Sequence, residues 1–148
     1  MENIQYKSEV AANFLRALAL QKGVNLNATQ VQKLLYMAYG LFLAEGRKII
    51  DEQPKAWPFG PVFPRAQKKV NYNEPIDLAS PELSQIIQDS PLKQMFINLI
   101  EKFGNITATK LSNWSHEIGG PWYQTTKKDG FNWNIPIDDE LITSYFRK

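Results

Sequence analysis

One histidine, two nearby serines and no cysteine limit the covalent and metal chemistry open to this chain of 148 residues. His116 stands in SHEIGGPW, where His-Glu invites a zinc-protease reading. That chemistry needs a second histidine one helical turn on, to put both imidazoles on one face, and position 120 is Gly. With no other His and no Cys, neither a metal site nor any cofactor is expected. Ser112 and Ser115 lie close enough in sequence to His116 for nucleophilic hydrolysis, and acids are plentiful, but nothing resembles a nucleophile elbow. A helix-terminal histidine making one structural hydrogen bond is the simpler reading. The eight glycines are scattered, so no phosphate-cradling loop is present.

Two other groups could recognise a partner. Arg47-Lys48, Arg65 with Lys68-Lys69, and Lys127-Lys128 could contact phosphates, although such pairs are more often a solvated face. Residues 56–64, AWPFGPVFP, combine Pro58, Pro61 and Pro64 with Gly60 and the rings of Trp57, Phe59 and Phe63. The proline spacing matches a PxxP ligand. Such ligands carry few large rings, and three exposed aromatics would strand apolar surface in water, so burial is expected.

Composition bounds what surrounds these residues. Hydrophobic content of 43% with 22% charged residues is globular, and a formal charge of +2 does not imply nucleic acid. No apolar run approaches a membrane span, and MENIQYKSEVAANF lacks a signal-peptide core, so a cytoplasmic location is expected. The length suits one domain over 1–148.

The elements that must position the motifs are mostly helices. A first, from Ser8 as N-cap, carries Val10, Phe14, Leu15 and Leu18 on one face and closes at Gly23. A second begins at Asn27, where Gln30 completes a capping box, and runs to Gly46. Its stripe of Val31, Leu34, Leu35, Ala38 and Phe42, widened by Met37 and Leu41, makes it the central helix. Residues 47–59 lose the helical period, and Ile49-Ile50 suit a short strand. A short helix is expected over 62–70, entered through Pro61. Ser80-Pro81 and Ser90-Pro91 both read as N-cap and first-turn proline, the second opening the helix of Leu92, Met95, Phe96, Leu99, Ile100 and Phe103. Thr107 caps a further helix ending at Gly119-Gly120-Pro121, a loop follows, and a terminal helix starts near Asp138. The fold class is therefore mainly α: a compact helical bundle with a short extended/β insert around residues 47-60.

Four segments in order, KLLYMAYGLFLAEG (33–46), AWPFGPV (56–62), LSNWSHEIGGPW (111–122) and SYF (144–146), resemble the Panacea domain family, the SocA-like, phage-associated antitoxin domain. The resemblance covers about residues 6–147. Tyr39 stands where that family usually has a polar residue, and the His116–Pro121 interval is one residue longer than its pattern. The resemblance implies an antitoxin that neutralises a cognate toxin protein encoded nearby by direct binding, or as an adaptor handing it to a protease. An antitoxin of this kind needs no catalytic residue, so no enzyme activity is expected, and neither the net charge nor any apolar run points to a nucleic-acid or membrane partner. Partner-binding candidates are Trp57, Phe59 and Trp122, with Gly60, Pro61, His116 and Pro121 as structural motif residues. A nucleic-acid-binding regulator of its own operon, using the basic 65–69 helix, and a hydrolase around His116 stay open as alternatives.

Overall fold

The computed structural model describes residues 4–127 and 133–147, so Lys128 of the last basic pair lies outside the described residues. The order of elements is α1 (Ser8–Gln21), α2 (Ala28–Ala44), β1 (Lys55–Trp57), β2 (Gly60–Val62), α3 (Pro64–Lys69), α4 (Ser90–Phe103), α5 (Ala108–Ser115), α6 (Pro121–Lys127), β3 (Ile135–Pro136) and α7 (Asp139–Phe146). Two short 3-10 turns, Pro81–Leu83 and Ile86–Gln88, precede α4. The fold is mainly α with one small antiparallel sheet of order β2-β1-β3. No helix among the described residues is long and apolar enough to cross a membrane.

The second helix is central because it is apolar around most of its circumference. α2 packs against α1, α4, α5, α7 and β2. Leu34, Leu35, Ala38, Phe96 and Leu99 share one buried cluster, with Phe103 packed against it. Gly40 allows the closest of these approaches: a Cβ there would lie 2.2 Å from ring carbons of Phe146, so α7 rests directly on the α2 backbone. The expected capping box is present, Asn27 Oδ1 accepting from the Gln30 amide and Gln30 Oε1 from the Asn27 amide, each at 2.9 Å.

Several expectations are corrected. Ser8 is inside α1 rather than its cap, and its buried hydroxyl donates to Glu52 at 2.5 Å, so tertiary pairing has taken the side chain. Ser90 is likewise the first helical residue of α4, whose cap is Asp89, accepting from the Leu92 amide. Pro61 does not open a helix. It lies in β2, and the first-turn proline is Pro64. Ile49 and Ile50 are buried, but Ile50 forms only an isolated parallel bridge with Tyr6, and the hairpin lies at 55–62. The residues after Pro121, expected as loop, form α6, which Pro121 begins.

Candidate functional site

Residues of 33–46 and 111–122 converge on the β1–β2 hairpin that 56–62 forms, whereas Phe146 of the fourth segment packs on Gly40 and Tyr36 of α2. Lys55, Ala56 and Trp57 face Val62, Pro61 and Gly60, which leaves Pro58-Phe59 as a two-residue tip. Gly60 has φ +116°, a conformation side chains resist, and a Cβ there would sit 2.3 Å from Ser115 Oγ and 2.7 Å from Lys33 Cε. The missing side chain lets the hairpin lie against α2 and α5.

β2 is an edge strand, and side chains take the place of a further strand. Alternate carbonyls are each captured in turn. Trp122 Nε1–H donates to the Trp57 carbonyl at 2.8 Å, and the Ser112 hydroxyl to that of Phe59 at 2.7 Å. Lys33 Nζ donates to Pro61 at 3.0 Å, and Gln32 Nε2 to Phe63 at 3.2 Å. Gln32 Oε1 also accepts from the Phe63 amide at 2.8 Å. Three helices thus fix the hairpin along its length. Buried backbone acceptors need such partners, and this arrangement supplies them without extending the sheet.

The electrostatics follow from burial. Lys33 is 2% exposed, and desolvation brings its pKa down to about 8. Burial also lowers the pKa of His116; the Pro58 carbonyl favours the imidazolium, and the Lys33 charge opposes it. The imidazole ends α5 and lies 4.0 Å, centroid to centroid, from Trp122. Among the described residues its buried Nε2 has no hydrogen-bond partner, in contrast to a catalytic base held to a nucleophile. The Ser112 hydroxyl points its proton at Phe59, and that of Ser115 at the Ser112 carbonyl, 2.7 Å away. Among the described residues no group of three or more His, Asp or Glu side chains is placed to hold a metal ion.

The three candidate rings occupy three environments. Phe59 projects from the tip and is 73% exposed, which corrects the expectation that the motif's aromatics are all buried. Trp57 is half-buried, and its Nε1 donates to Asn134 at 3.0 Å. Trp122 is 8% exposed, bonds the hairpin through its Nε1, and makes tilted ring contacts with both His116 and Trp133. Phe63 is buried edge-on to Tyr39. Trp133, 48% exposed and 5.9 Å from Trp122, adds a ring that motif spacing did not single out. Its only signal was its type, in a loop beside Asn134, which takes a positive φ. Pro121 is buried as the first residue of α6, which aims Trp122 at the hairpin.

The basic clusters are largely engaged. Arg47 pairs with Asp89, Lys48 with Asp139, Arg65 with Glu9 and Asp51, and Lys69 with Glu9. Lys127 donates to the Tyr123 hydroxyl at 3.1 Å.

Residues 31–123 match the family described as antitoxin SocA-like, Panacea domain. A relative described as Antitoxin SocA, from Caulobacter vibrioides (strain NA1000 / CB15N), is 30% identical over 154 aligned positions, covering 95% of this chain and 82% of the relative. No solved structure matches the chain significantly. The matched segment contains Gln32, Lys33, the hairpin, Ser112, His116 and Trp122.

Proposed function

The chain belongs to the SocA-like, Panacea-domain antitoxin family, and from that premise we propose that it neutralises a toxin protein by binding it directly through the clamped hairpin. The observation that carries this reading is Phe59, 73% exposed on a turn whose flanking carbonyls are held by side chains of α2, α5 and α6. A large ring in water is unfavourable for the free protein, whereas one fixed on stiff backbone loses little entropy when a partner covers it. Trp57, next but one to Phe59, is tied by its Nε1 to Asn134, whose neighbour Trp133 is a second exposed ring. The role assigned to Trp122 is now to support the surface rather than to anchor the partner.

Binding needs no catalysis, and the orientation of the Ser112 and Ser115 hydroxyls away from His116 favours that view over a hydrolase. Arg65 and Lys69 pair with Glu9 and Asp51, which among the described residues leaves Lys68 as the one cation of α3 without an ion pair, and this favours a protein partner over an operon regulator.

The test is growth of cells that express the toxic product of a neighbouring gene. Wild type should rescue them, and Phe59→Ala, folded by circular dichroism, should rescue poorly. Full rescue by Phe59→Ala would refute the hairpin as the contact. Failure of His116→Ala alone, with its fold intact, would instead favour the hydrolase.

A further inference from the structure

A cleft of about 360 Å³, sharing no residue with the hairpin, lies between α1, the end of α3 and the 71–83 segment. At its wall is Arg16, only 6% exposed. The guanidinium lies 4.5 Å from the Tyr72 ring centroid, and Nη1 donates to Asn13 Oδ1 at 3.0 Å. Among the described residues no carboxylate comes within ion-pair distance of it, whereas Arg47 and Arg65 each hold at least one. A guanidinium carries five N–H donors; among the described residues Nη1 is bonded to Asn13, while Nε and Nη2 are not sealed off and keep their N–H groups open to the cleft. An arginine so enclosed, yet lining an open cleft, is arranged to receive an anionic group from outside.

The other charges narrow the class of ligand. Lys69 lines the cleft but lies 3.6 Å from the Glu9 carboxylate, and Glu74, Asp77 and Glu82, all exposed, line it as well. A simple anion would be drawn by Arg16 and repelled by three carboxylates. A molecule with a cation at its other end would satisfy both. We propose that this cleft binds a small zwitterion of the amino-acid class, its carboxylate on Arg16 and its ammonium among Glu74, Asp77 and Glu82.

The experiment is a titration of the full chain, labelled with nitrogen-15, at low ionic strength. The probes are glycine, 4-aminobutyrate, 6-aminohexanoate, acetate and butylammonium, and the readouts are the Arg16 side-chain N–H and the amides of residues 74–82. At least one zwitterion should bind about tenfold or more tightly than acetate or butylammonium, since it gains both charged contacts. Arg16→Gln should abolish that preference. The paired exposed changes Glu74→Gln and Glu82→Gln should reduce it without touching the core, and they decide the matter if Arg16→Gln fails to fold. Acetate binding as well as every zwitterion, no probe binding at all, or a preference unmoved by the rim variants would each overturn the proposal.

Discussion

Lys33 and Gly60 show how single residues set the candidate site. Gly60→Val should destabilise by more than about 1 kcal/mol, because the residue sits at φ +116° with no room for a Cβ. Chemical denaturation checks this, and an unmoved midpoint would contradict the close approach of hairpin and helix. Lys33 gives a pH signature. Its folded pKa of about 8 lies below its ordinary value of 10.5. Between those values the unfolded chain keeps the proton that the folded chain has lost, so this group makes stability rise with pH there. The stability of wild type relative to Lys33→Met should therefore rise across that window, by up to about 3 kcal/mol. A flat difference would mean that Lys33 is not desolvated. The turn at Gly60 was legible in sequence from its place among prolines, whereas the burial of Lys33 was not, since it read there as one residue of a family-like helix. Lysine gives no periodic signal of burial, and here Pro61 supplies the carbonyl from another element.

Elements built on local rules were legible, and those built on tertiary partners were not. The α2 stripe, the Asn27–Gln30 box and the Thr107 and Asp138 caps all follow from periodicity and capping chemistry. Leu35→Ala should cost roughly 2–5 kcal/mol, since Leu35 is fully buried in the central cluster, and a denaturation midpoint that stays put would refute the central helix. The errors at Ser8 and Ser90 have one cause: a better partner elsewhere took the role or the side chain. At α4 that partner is Asp89, completely buried, receiving Tyr6 at 2.8 Å and Arg47 at 2.5 Å as well as capping the helix. Burial alone would raise its pKa, but the hydrogen bonds from Arg47, Tyr6 and the Leu92 amide outweigh it and hold the carboxyl below 3.8. A depressed folded pKa contributes stability above the unfolded value, lost as pH falls through the folded one. Asp89→Asn should cost roughly 3–5 kcal/mol near neutral pH by leaving Arg47 without its counter-ion, and should flatten the acid limb of the stability profile. A normal acid limb in the variant would contradict the assignment. α6 escaped notice because PWYQTTK is short and polar on much of its surface, and its place depends on Trp122 reaching the hairpin.

At the scale of the whole molecule, motifs far apart in sequence meet to fix one short hairpin. Motif order alone pointed to the antitoxin family, but it left open why those residues belong together. The answer lies in backbone acceptors along 57–63, which Trp122, Ser112, Lys33 and Gln32 satisfy from three helices. Sequence marked Trp57, Phe59 and Trp122 alike, since aromatic type does not tell a support from an anchor; only the fold separates the exposed ring from the buried one. A true anchor carries binding without carrying stability, whereas a buried ring affects both. The decisive measurement is the dissociation constant between this purified chain and the toxic product of a neighbouring gene proposed as its partner, for wild type and Phe59→Ala, with thermal unfolding of each recorded alongside. Phe59→Ala should unfold at the wild-type temperature yet bind at least about thirtyfold more weakly, a loss of about 2 kcal/mol. Equal affinity for the two proteins, or no binding by wild type, would contradict direct neutralisation through the hairpin.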